Sequence, residues 1–175
     1  MGWSFKLHGG IAAGLSTVLL LLAGLTWLPG TLPLTGSKWP VAIIAALLFP
    51  TFMAALVRII RSGADRHTVW LAFRCLPAKV QAGLGALAIA GVVLTLPSDE
   101  GNLQAPEMKG DRYFAFDTAP YARGAIEVSR SQYVAVLESD QRSMLAIPGT
   151  LFAGAAYVVL AAGELRRADG GFQAS

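Results

Sequence analysis

Charged side chains are scarce in this sequence: Asp, Glu, Lys and Arg make up 14% of its 175 residues, against about 25% in an ordinary soluble domain. A single cysteine, Cys75, excludes an intrachain disulfide, and with it the membrane thiol oxidoreductases that work through paired cysteines. The two histidines, His8 and His67, both lie outside the long apolar runs. They cannot supply the paired axial ligands of a membrane haem, and no His/Cys cluster offers a zinc site. GxSxG, HExxH and Walker-type sequences are missing, which removes the commonest hydrolase and nucleotide signatures. The composition therefore predicts no cofactor, no metal and no nucleic-acid partner.

What the chain has instead is apolar length. Hydrophobic residues make up 54% of it, the mean hydropathy is +0.54, and the apolar residues collect in four uncharged runs, 11–28, 39–57, 80–97 and 143–163. As a helix, each matches a hydrocarbon core of roughly 30 Å. Four such helices in a soluble protein would need a far larger chain to cover them. The expected fold is an all-α membrane protein, a four-helix transmembrane bundle with spans 1–3 within residues 1–97 and span 4 at 143–163. Lys6 precedes the first run as in a signal peptide, but the run exceeds a signal core of roughly 7–15 residues and no small-x-small cleavage site follows. It is read as a retained span. None of the runs carries an acid, base or histidine well inside it, whereas proton-coupled carriers usually depend on such residues.

Orientation follows from the basic residues. Lys6, the loop at 58–79 (Arg58, Arg61, Arg66, Arg74, Lys79) and the tail at 164–175 (Arg166, Arg167) hold eight of the 14. The other six, Lys38, Lys109, Arg112, Arg123, Arg130 and Arg142, are spread over longer loops, and with acids included the two sides carry +5 and −2. The positive-inside rule then predicts a multi-pass plasma membrane protein with both termini and the 58–79 loop cytoplasmic, and with residues 98–142 outside.

Within the basic loop, Asp65 is placed to cap a short helix running to about Leu76. Val69, Trp70, Phe73 and Leu76 fall on one side of it, the pattern of a helix lying in the membrane interface. Trp70, Phe73, Arg58, Arg61, Arg66 and Arg74 are the expected membrane-interface residues, with lipid as their partner. Pro50 predicts a bend in the second span. Small residues at four-residue spacing (Gly10 with Gly14; Ala78, Ala82, Ala86 and Ala90; Gly149 with Ala153) predict close helix contacts. The first outer loop, residues 29–38, has two prolines and two glycines and reads as a tight irregular turn, flanked by Trp27 and Trp39 as headgroup anchors.

The outer segment 98–142 is unlike the rest. Residues 98–111 are polar with Gly and Pro and read as an irregular leader. "RYFAFD" (112–117) and "AIEVS" (125–129) alternate in polarity as half-buried strands do. Together they predict a β-hairpin, with Tyr113, Ala115 and Asp117 on one face and Phe114 and Phe116 on the other. Ser129 and Gln132 match a capping box, so a helix should begin near Arg130, with a break near Pro148. An isolated hairpin is marginal in water, so Phe114, Phe116, Ile126 and Val128 are expected to be buried. Tyr121 in the connecting loop is the residue expected to be exposed. Asp117 and Arg123 flank that loop and are expected to close it as an ion pair.

The layout of four spans with a larger loop between the third and fourth resembles that of the tetraspanins, but a tetraspanin-type loop carries a CCG motif and paired cysteines. This loop has no cysteine, and no functional residue is carried over. The Ala, Gly, Leu and Arg bias is similar to that of small membrane proteins from GC-rich bacteria. An ordered outer module without catalytic motifs points to a non-enzymatic accessory or immunity-type factor. Its expected partner is another membrane or extracytoplasmic protein, bound through Tyr121, Arg123 and Asp117. The alternative is a lipid-handling enzyme or small transporter that uses the outer carboxylates or a cavity beside Pro50.

Overall fold

The computed structural model describes residues 2–28, 30–34, 39–96 and 101–172, with side chains to residue 168. Pro29, residues 35–38 with Lys38, and residues 97–100 with Asp99 and Glu100 therefore lie outside the described residues. The elements are α1 (Trp3–Leu25), α2 (Trp39–Ser62), α3 (Arg66–Arg74), α4 (Ala78–Leu94), β1 (Leu103–Lys109), β2 (Arg112–Asp117), β3 (Gly124–Val128) and α5 (Arg130–Phe172). Among the described residues, three helices are long and apolar enough to cross a membrane: α1, α2 and the Arg130–Ala168 portion of α5. The third apolar run of the sequence yields only the 17-residue α4, about 26 Å at helical rise. That is slightly short of a hydrocarbon core, because Pro77 precedes its first residue and Thr95 caps its end, the hydroxyl donating to the carbonyls of Gly91 and Val92.

Everything packs on α5. Its buried residues Leu145, Ala146, Phe152, Ala155, Ala156, Val159 and Ala162 form one core cluster with Phe5, Ala12, Leu19, Leu20 and Ala23 of α1, Ala55 of α2, and Leu84 and Leu94 of α4. The spacing on α1 is the three-and-four repeat of a helix showing one face to its neighbour. By contrast, Ala55 is the single fully buried residue of α2; Ile44, Leu48 and Ile59 are partly buried against the core clusters, and much of the remaining apolar surface faces outward. Helix α3 joins through Val69 and Ala72, which pack on Ala161.

Two prolines sit inside helices, Pro50 in α2 and Pro148 in α5. The expected break near Pro148 does not occur. The ring removes one hydrogen bond, to the carbonyl of Met144, but Leu145, Ala146 and Phe152 around it are buried. Tertiary packing holds the helix across the gap, as is usual for proline in membrane helices.

Glycines mark where helices touch, and of the positions the spacing singles out Gly149 is such a contact while Gly10 and Gly14 are not. A Cβ at Gly9 would lie 2.6 Å from Leu160, one at Gly149 would lie 3.0 Å from Leu20, and one at Gly91 would collide with Thr150. Around Gly10 and Gly14 a Cβ would meet nothing within 4 Å. Of the alanine stripe of α4, Ala78, Ala82 and Ala86 are exposed and Ala90 alone packs against the core, where Leu84, Gly91 and Leu94 are buried. Four-residue spacing establishes that residues share a face; it does not say which way the face turns.

The outer segment folds as a three-stranded antiparallel sheet of order β1-β2-β3, so the predicted hairpin gains a strand from the stretch read as irregular. Pro106 hides that strand in the sequence. An edge strand tolerates proline, and here the pairing slips by one residue between Gln104 and Glu107. Ala105, in the bulge, has φ 49, a left-handed conformation that only glycine adopts without cost. The capping box is present as read: Gln132 N–H donates to the Ser129 hydroxyl and Ser129 N–H donates to Gln132 Oε1. Asp65 also caps α3, accepting from Thr68 N–H at 2.8 Å.

Replacing Gly91 by Ala is expected to destabilise the fold by about 1–3 kcal/mol, the usual cost of overpacking, because Thr150 Cγ2 also lies 3.2 Å from the new methyl and its Cβ, which no rotamer change moves, lies at 3.1 Å. Gly14→Ala should leave stability unchanged. Thermal unfolding in mild detergent distinguishes the two, and equal midpoints would remove Gly91 from the packing account.

Candidate functional site

The sheet is seated on the first turns of α5 by one face. Residues paired across antiparallel strands share a face, so Tyr113, Ala115 and Asp117 of β2 stand with Val128, Ile126 and Gly124 of β3. Ala115 is 1% exposed, and the Tyr113 ring meets Tyr133 of α5 at 4.9 Å. The strand pattern was thus legible, but the buried face is the reverse of the hydrophobic expectation. Phe114 and Phe116 turn away from α5, Phe116 43% exposed and Phe114 half-buried, while Ile126, expected to be buried, is 38% exposed. The small Ala115 lets β2 approach the helix closely, while two phenylalanines would hold it off. Ion pairs border the outward face, Glu107 with Lys109 at 3.1 Å and Arg112 with Glu127 at 3.5 Å, and the Lys109 ammonium lies 5.9 Å from the Phe114 ring centre. Such exposed pairs add little stability, yet they frame an aromatic patch with charge.

A polar joint fastens this cap to the bundle end. Glu138 accepts from Gly30 N–H at 3.0 Å and Gln141 accepts from Leu34 N–H at 3.2 Å, so the turn after α1 is tied to α5 by its backbone. The Arg142 guanidinium donates to the Thr26 hydroxyl and lies 5.6 Å from the Trp27 ring centre. Asp140 accepts from the N–H of the strained Ala105 at 3.0 Å. Burial raises the Asp140 pKa above the ordinary carboxylate value, and the bond from Ala105 opposes that shift.

The residues expected to bind a partner all lie around the β2–β3 turn. Tyr121 is fully exposed, at 103% of its reference area, and Arg123 is exposed as well. The expected Asp117–Arg123 ion pair does not form among the described residues. Asp117 instead accepts from Ala119 N–H at 2.8 Å, a local turn that a short carboxylate makes more readily than a long-range pair. The alternation of β2 flagged Phe114 and Phe116 but assigned them to the core. Only the helix contact of Ala115 reverses that assignment.

At the opposite end of the bundle, Phe5 of α1 is covered by two guanidinium groups, Arg58 of α2 at 4.3 Å and Arg166 of α5 at 5.4 Å. Arg58 Nη1 is buried without a hydrogen-bond partner, so the ring supplies the contact that an anion otherwise would. Arg61, Arg66 and Arg74 are exposed. Phe73 of α3 packs on Tyr157 with ring centres 5.1 Å apart, and Trp70 stacks on Phe73 while remaining 52% exposed. Of the six residues read as facing the interface, Phe73 and Arg58 are thus partly taken into the bundle. Among the described residues no group of three or more His, Cys, Asp or Glu side chains is placed to hold a metal ion.

Asp140→Asn keeps an acceptor for Ala105 N–H and removes the cost of a buried charge. Because the folded-state pKa is raised, that cost is present at neutral pH and disappears as acid protonates the carboxyl. The variant is expected to melt above wild type at pH 7, with the difference closing as the pH falls through the range just above the ordinary carboxylate value. A difference that widens in acid would contradict this account.

No family model matches the chain, and no curated protein or solved structure matches it.

Proposed function

We propose that this is a non-enzymatic, multi-pass protein of a bacterial plasma membrane that captures a protein partner on its extracytoplasmic sheet, as an accessory subunit of a membrane complex or as an immunity-type factor. The observation that carries the reading is the outward Phe114–Phe116 face with Tyr121 at its end. Exposed aromatics rimmed by charge are what the centres of protein interfaces are made of. The partner is a membrane or extracytoplasmic protein, and both termini are cytoplasmic.

The helix arrangement supports the four-span version of this reading. α1 and α5 meet α2 around Phe5 at one end, and α1 meets α5 again through Thr26 and Arg142 at the other. Helix α4 packs beside them through Leu84 and Leu94 while Ile89 and Val92 face outward, as lipid-facing residues of a short span would.

The competing enzyme or transporter reading, where it relies on the outer carboxylates rather than on a cavity beside Pro50, needs those carboxylates free. Five of the outer ones have structural partners: Glu107 and Glu127 in ion pairs, Glu138 and Asp140 on backbone N–H groups, and Asp117 in its own turn. That favours the binding reading.

Capture of the partner by tagged protein, extracted from its native membrane in mild detergent, tests the proposal. Phe116→Ala and the Tyr121→Ala/Arg123→Ala pair should each lower the captured amount about tenfold, the loss typical of an interface anchor, at an unchanged yield of folded protein. Trp70→Ala at the far end should not. Undiminished capture by all the sheet variants would remove the sheet as the docking surface.

A further inference from the structure

At the end of the bundle remote from the sheet, a groove of about 860 Å³ opens between α1 and α4, with Leu160 of α5 at its back. Its walls are small and apolar: Gly10 and Ala13 on α1, Gly83 and Leu87 on α4. Glycine in a helix usually allows another backbone or side chain to come close, but here a Cβ at either Gly10 or Gly83 would meet nothing within 4 Å. What the missing side chains leave is space, and the protein itself does not fill it. The groove also has a direction. Its lining runs from Lys6, Glu164 and Arg167, beside Cys75, Leu76 and Pro77, at the mouth to Thr17 and Leu87 at the far end. From Lys6 to Thr17 is about 16 Å along α1, the depth of one leaflet of a hydrocarbon core of roughly 30 Å.

The charges at the mouth are unbalanced. Glu164 is paired with Arg167 at 3.6 Å, whereas Lys6 is exposed and makes no ion pair among the described residues. One positive charge is left over at the level where a headgroup would sit, above a slot as deep as an acyl chain is long. We infer that this groove binds one anionic phospholipid, with an acyl chain between Gly10 and Gly83 and the phosphate between Lys6 and Arg167. The site rests on the bilayer placement proposed above but not on the partner-binding role of the sheet. The Thr17 hydroxyl donates to Ala13 O within its own helix at 2.8 Å, so the deep end presents no free donor to a second polar group, as suits a methyl terminus.

The test uses the full chain, delipidated in mild detergent and titrated with phosphatidylglycerol or phosphatidylethanolamine under native mass spectrometry. Wild type should retain one phosphatidylglycerol, with a preference of about fivefold or more over the zwitterionic lipid, the order expected for one basic residue at an anionic surface. Lys6→Gln should bring the two lipids to near parity. Gly83→Leu, which puts a side chain into the groove, should reduce retention of both at least tenfold. Its unfolding midpoint, read in parallel, should remain that of wild type; Gly10→Leu repeats the block from the other wall.

Equal retention of the two lipids by wild type would overturn the proposal. So would retention untouched by both glycine variants, a dimer mass without lipid, or displacement of the lipid by millimolar glycerol phosphate, the last marking a free-anion site. Flotation with phosphatidylglycerol vesicles reports membrane residence separately. A protein that floats but shows no selectivity loses the groove alone, and one that does not float loses the bilayer reading with it.

Discussion

The contact between α1 and α5 is the constraint on which the other parts depend. In lipid there is little gain from hiding apolar surface, so helices stay together by close packing and by the polar bonds they make at their ends. Both are present here. Gly9 receives Leu160 and Gly149 receives Leu20 along the seam. The seam is then closed at one end by Arg166 over Phe5 and at the other by Arg142 on Thr26. Helices α2, α3 and α4 and the sheet each lean on α5, and none of the others could take its place as the common neighbour. At 43 residues, α5 is about 65 Å long, roughly twice the thickness of a hydrocarbon core, and so it serves the bundle and the cap with one rod.

That division gives the molecule two unlike ends. Above the bundle, backbone donors of the turn after α1 are satisfied by Glu138 and Gln141, and a small sheet too thin to stand alone is held by Ala115, Tyr113 and Asp140. Below it, cations collect around Phe5, α3 lies along α5, and the slot beside Lys6 opens. The sheet shows aromatic rings to water, while the basic end shows positive charge and a gap between helices. The proposed protein contact falls at the first and the proposed lipid contact at the second.

Local chemistry is what the sequence makes legible. The Ser129/Gln132 capping box, the Asp65 cap, the exposed Tyr121 and the alternation of residues 112–117 each rest on contacts between near neighbours. What the sequence conceals is set by distant parts. Strand β1 is disguised by Pro106 and a bulge, which edge pairing tolerates. The buried face of β2 is decided by the fit of Ala115 to α5, and hydrophobicity alone ranks Phe114 and Phe116 ahead of it. The break expected at Pro148 is prevented by the packing of Phe152 and Leu145. Stripes of small residues were visible, but only the neighbour decides that Gly9 is a contact while Gly10 lines a gap.

The order of the elements along the chain bears on how such a protein is made. The helix that gathers all the others is the last of the described elements to leave the ribosome. Between the completion of α1 and that of α5 lie about 147 residues, which at typical rates of synthesis take roughly 7–30 s. During that interval Gly9, Ala12 and Leu19 lack the α5 face they pack against, and α2, whose one fully buried residue is Ala55, gives them little. The α1–α5 seam can therefore close only once α5 is made, whereas the packing of α1 beside Leu84 and Leu94 of α4 does not wait for it. A chain cut short before α5 would keep its hydrophobic segments and lose the seam that joins them.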